Sequence, residues 1–134
     1  MNMNPSLQLY RNGQIIFSSE GKWLYPLFEL HTFLTENGIQ DRSSLIVKDK
    51  IIGKAAALIL VYLKLDTIEG YTLSVPAEKV LIKFNRRYTY RKLIDRIHCK
   101  TEDLLMHEWD PLKAWQIIQK RIEDQPQSQV KKQG

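Results

Sequence analysis

Three features of the chain predict an α/β fold built on a mixed sheet. Gly53-Lys54-Ala55-Ala56-Ala57-Leu58-Ile59-Leu60-Val61 is a helix with no polar face, flanked directly by two strand-like runs, Ser44 to Ile52 and Ile68 to Val75. Asn12-Gly13 joins two further β-type runs near the start. A helix without a polar face has to be buried. A strand–helix–strand unit implies parallel strands and a right-handed crossover, while an Asn-Gly hairpin adds an antiparallel pair. The expected architecture is a three-layer α/β/α sandwich around a mixed sheet with an N-terminal hairpin.

Each element has a local reason. Leu7 to Phe17 forms the hairpin, because Asn12 and Gly13 tolerate the positive φ of a tight turn. Pro26 suits the first turn of a helix, Leu27, Leu30 and Leu34 share one face of it, and Asn37-Gly38 stops it. The buried helix runs from about Gly53 to Leu65, and Pro76 opens another that reaches about Phe84. Arg87 to Tyr90 reads as a short strand and Arg91 to His98 as a helix. A last helix, Trp109 to Ile122, starts at Asp110-Pro111. Residues 1–6 read as a disordered start, 7–122 as one domain, and 123–134, with Gln125-Pro126-Gln127-Ser128-Gln129, as a disordered tail.

Bulk composition narrows the function classes. With 134 residues, 43% hydrophobic and 26% charged, the chain is one globular domain of ordinary size. Its longest apolar run, Ala55 to Leu63, is too short to span a bilayer, and the first residues lack a basic start and apolar stretch. The single Cys99 excludes an internal disulfide framework and suits a reducing compartment. The expectation is a cytoplasmic protein with no membrane partner.

The net charge of +5 is concentrated in one stretch. Lys83, Arg86, Arg87, Arg91, Lys92, Arg96 and Lys100 are opposed there only by Asp95. Such a stripe attracts polyanions, and the interleaved Tyr88, Tyr90, Trp109 and Trp115 would suit base stacking. The simpler reading is a solvated helix face beside core aromatics. Nucleic-acid binding through Arg86, Arg87, Arg91, Lys92 and Arg96 is thus the alternative, not the leading reading.

Ligands of open α/β sheets gather at the carboxyl ends of parallel strands, where helices begin. That edge collects Asp49, Lys50, Gly53, Lys54 and Ala55 from one crossover and Ser74 and Glu78 from the next. Gly53-Lys54-Ala55 presents free N–H groups beside a cation, a geometry suited to phosphate or carboxylate. The plain reading has Gly53 allowing close packing while Lys54 reaches solvent. Asp49 is a candidate general base or hydroxyl acceptor, or else a turn residue; Glu78 would serve the helix dipole. A Walker loop is excluded, since Lys48 and Ala55 stand where it needs Gly and Ser or Thr. His31, His98, Cys99 and His107 have no metal-ligand spacing, so neither metal nor cofactor is expected.

The stretch Leu7–Lys22, the run Asp49–Ala57 and Val75-Pro76-Ala77, in this order, resemble an uncharacterised bacterial family, domain of unknown function 1893. The resemblance covers roughly residues 7–122 and implies a cytidine-deaminase-like fold with no established activity. Active deaminases of that fold hold zinc through His or Cys beside a catalytic Glu on one helix, and through Pro-Cys-x-x-Cys on the next. Here the Gly53 helix offers no ligand, and the later run is Pro76-Ala77-Glu78-Lys79-Val80. Relatives carry a Cys near the start of the final helix, where this chain has Glu108-Trp109-Asp110-Pro111.

The leading reading is a domain without a zinc site that binds a small anionic ligand, a nucleotide or its fragment, at the start of the Gly53 helix. A metal-free enzyme using Asp49 and Lys54 is a second alternative. Pairing into a homo-oligomer is a further expectation.

Overall fold

The computed structural model describes residues 5–124, so the expectations for 1–4 and 125–134 lie outside the described residues. Five strands and five helices follow in the order β1 (Leu7–Arg11), β2 (Gln14–Ser19), α1 (Tyr25–Glu36), β3 (Leu45–Ile52), α2 (Lys54–Tyr62), β4 (Thr67–Ser74), α3 (Val75–Lys83), β5 (Arg87–Ile94), α4 (Lys100–Leu104) and α5 (Pro111–Asp124). The sheet order is β2-β1-β3-β4-β5. β1 is antiparallel to both neighbours, and β3, β4 and β5 run parallel. Asn12 and Gly13 both take positive φ, 52° and 80°, as the hairpin turn requires.

The sheet separates its two faces rung by rung. Leu9, Val47, Ile68 and Tyr88 pair across four strands and carry the inward rung. The neighbouring rung, Gln8, Lys48, Glu69 and Thr89, is polar and points the other way. Inward residues Leu9, Leu45, Val47 and Ile68 are fully buried with Leu27, Leu30 and Leu34 of α1 and Val80 and Leu81 of α3.

The mixed α/β sheet is as expected. The crossovers β2→β3, β3→β4 and β4→β5 all step the same way across the sheet. Right-handed connections therefore place α1, α2 and α3 on one face. α5 packs against the far side of α2, so the helices form two tiers on that face. This is why α2 needs no polar side: from Lys54 to Val61 every residue is buried.

Trp115 of α5 locks the tiers together. Its ring stacks on Phe28 of α1 at 4.3 Å and on Tyr62 of α2 at 4.8 Å, with His31 tilted beside it at 4.7 Å. Burial, then the charge of Arg42, holds the His31 pKa below its ordinary value.

Several boundaries need correction. β5 extends through Ile94, so the helix expected over Arg91 to His98 does not form. β4 offers a parallel partner as far as Ser74, and Lys92, Leu93 and Ile94 pair with Thr72, Leu73 and Ser74. Sheet pairing overrides the local helical pattern. α2 ends at Tyr62 rather than near Leu65, because Lys64 takes a φ of 63° and turns the chain. At the domain limits, α5 reaches Asp124, and Ser6 donates a hydrogen bond through Oγ to the Gly21 carbonyl at 2.8 Å.

Replacing Trp115 by Ala removes the common wall of α1, α2 and α5. Equilibrium urea unfolding of the variant is expected to show a loss of about 3–5 kcal/mol. A loss under about 1 kcal/mol would mean the two tiers are held by other contacts.

Candidate functional site

A cavity of about 350 Å³ opens where β3 ends and where α1 and α2 begin. Its far wall is the segment between β5 and α5, through Ile97, Cys99, Thr101 and Glu102. Asp49, Lys50, Gly53 and Ala55 line it; Lys54, Ser74 and Glu78 do not.

Asp49 is the chemically distinctive group in this cavity. It shares a rung with Leu7, Gly70 and Tyr90, so the pleat turns it away from the polar face. Protein atoms surround the carboxyl, although the residue as a whole keeps some exposure on the cavity side. Burial pushes its pKa from 3.8 up to about 7, opposed weakly by the backbone N–H groups of Ile51 and Lys50. A carboxyl of this kind accepts or donates a proton near neutrality.

The start of α2 is already filled. Glu102 of α4 accepts from the Lys54 N–H through Oε1 at 2.9 Å and from the Ala55 N–H through Oε2 at 3.0 Å. The helix has Gly53 as its N-cap and no acidic residue in its first turn, so a distant carboxylate supplies the anion. Gly53 makes this approach possible: a Cβ there would meet Ile97 at 2.9 Å and Glu102 at 3.0 Å.

Lys54 neither reaches solvent nor faces Asp49's cavity. Only 3% exposed, it donates from Nζ to the Met106 carbonyl at 2.8 Å and lies over the Trp109 ring at 4.0 Å. Burial lowers its pKa, against the pull of Glu102 and Glu108. It lines a second cavity of about 370 Å³ with Pro76, Lys79 and Trp109. The two residues of the metal-free enzyme reading are thus parted by Glu102 and Ile97, which border both cavities.

The other candidates have structural partners. Ser74 is fully buried and caps α3, its Oγ accepting from the Ala77 N–H at 3.1 Å. Glu78 accepts from the Tyr88 hydroxyl at 2.8 Å, and burial, then this bond, push the Tyr88 pKa up to about 12. In the basic stripe, Arg87 pairs with Asp66 at 3.0 Å and Arg96 with Asp103 at 3.2 Å. Arg86 donates to the Phe84 carbonyl at 2.8 Å, while Arg91 and Lys92 lie exposed on β5. Among the described residues, no three His, Cys, Asp or Glu side chains converge to hold a metal, and no helix is long and apolar enough to cross a membrane.

Sequence reasoning missed Glu102, Trp23 and Thr101. A helix start with neither a capping side chain nor an early acid signals that an acceptor must arrive from elsewhere, but not which one. Trp23 takes a φ of 57°, rare for a bulky residue, and its indole N–H donates to Thr101 Oγ1 at 3.1 Å across the cavity mouth.

Asp49 sets a pH dependence with a definite sign. A folded pKa raised above the unfolded one contributes stability that is full below about pH 3.8 and is lost as pH rises through about 7. Asp49→Asn should flatten this fall, worth at most about 4 kcal/mol between the two limits. Melting temperatures at pH 5 and pH 8.5 check it; an unchanged difference would place the titration on another group.

The family model described as "Domain of unknown function (DUF1893)" matches residues 2–122. The crystal structure of a DUF1893 family protein from Thermotoga maritima is similar, with a TM-score of 0.76 and 29% identity over 87% of this chain and 80% of that one. No curated protein matches. Matched along nearly its whole folded length, this chain belongs to the DUF1893 family.

Proposed function

We propose that the protein binds a small heterocyclic ligand in the Asp49 cavity. Asp49 carries this reading: a carboxyl poised near neutrality, set in a largely apolar cavity, is the polar group that would orient a ring's donors and acceptors. The raised pKa lets it offer either a hydroxyl or a carboxylate to the ligand.

An anionic group on the ligand would not take the start of α2, where Glu102 already sits. Lys22 and Lys50, exposed at the margin of the same cavity, would hold it instead. A nucleotide or its fragment fits this division, with the base inside against Trp23 and the phosphate at the rim. The deaminase-like scaffold stays part of the reading. It is supported by the parallel β3, β4 and β5 and by the cavity at the end of β3.

A thermal-shift panel of nucleobases, nucleosides and nucleotides tests this. A true ligand at a hundred times its Kd stabilises the fold by about 2.7 kcal/mol. The rise is expected to vanish in Asp49→Asn and to shrink in Lys50→Ala only for phosphorylated ligands. No rise across the panel, or a full rise in Asp49→Asn, refutes the proposal.

A further inference from the structure

Residues 95–110 connect two well-anchored elements. Before them β5 is paired along β4, and after them α5 is docked through Ala114, Trp115 and Ile118. Within the segment only Thr101 and Leu105 are buried. Polar contacts do most of the holding: Glu102 to the start of α2, Lys54 to Met106 and Trp109, and Trp23 to Thr101.

Beneath this segment lie the two cavities already described, of about 350 and 370 Å³. Ile97 and Glu102 border both and press against the bare Cα of Gly53. Ile97 and Glu102 of this strap, with the first turn of α2, therefore form the wall between the cavities.

We propose that residues 95–110 form a lid, hinged at Ile94 and Pro111 and latched by Glu102, whose opening joins the two cavities into one crevice along the start of α2. Opening uncovers Leu105 and Ile97 and exchanges a few polar bonds for bonds to water, while the rest of the core stays packed, so it requires far less than global unfolding. It frees the Lys54 and Ala55 N–H groups and releases Lys54 into the same space as Asp49. The closed form is then self-blocked, with the chain's own carboxylate seated where an anion would bind.

Native-state hydrogen exchange on the full chain tests it without a ligand. The Lys54 and Ala55 amides, held by Glu102, and the Leu105 amide, bonded to the Thr101 carbonyl, should exchange together with shallow denaturant dependence. The Leu60 amide inside α2 should exchange only with global unfolding. Glu102→Gln should speed the first group about tenfold and leave Leu60 unchanged. Gly53→Ala, whose added Cβ meets Ile97 and Glu102, should act in the same direction. Exchange of Lys54 and Ala55 while Leu105 stays protected would mean simple fraying of α2 and would overturn the lid. So would exchange of all three amides only with Leu60 in the parent chain, or no response to Glu102→Gln.

Discussion

The fold depends on covering α2 on every side. Leu58, Ile59, Leu60 and Val61 follow one another around the helix, so no rotation about its axis can keep them all from water against a single surface. Full burial of each is worth about 1.5–3 kcal/mol, which makes any uncovered side costly. The sheet covers one side, α1 and α3 the flanks, and α5 the remainder, with Trp115 as its principal contact. The two-tier arrangement follows from this requirement together with crossovers that all step in one direction.

Burying a helix to its first residue creates a second problem. The opening N–H groups of α2 have no solvent and no local side chain to accept them. Glu102 meets that need from 48 residues away in sequence. Lys54, drawn inside with the helix, requires an acceptor as well and finds the Met106 carbonyl on the same segment. One short stretch therefore satisfies two buried polar demands, and in doing so it becomes the wall of both cavities.

Asp49 stands apart because its partners, the backbone N–H groups of Ile51 and Lys50, do not offset its burial. It lies on the inward side of the pleat, in a position set by strand alternation from Leu45 and Val47. A carboxyl so placed without a cation beside it stays protonated to unusually high pH, a cost to stability that a purely structural position would avoid. The αL backbone of Trp23 at the same cavity is a second departure from relaxed geometry. The two departures meet in one cavity.

The sequence by itself determined the hairpin at Asn12-Gly13, the helix stop at Asn37-Gly38, the parallel unit around Gly53, and the presence of Asp49 and Gly53 at the carboxyl end of β3. Each follows from local φ preference or from hydrophobic period, which neighbouring residues carry in full. Only the tertiary structure decided that Arg91 to Ile94 extend a strand, that Glu102 occupies the start of α2, and that Lys54 turns away from Asp49. Those outcomes rest on partners distant along the chain, strand β4 for the first and the segment after β5 for the others. No local pattern encodes which distant group will arrive to satisfy a buried N–H or ammonium.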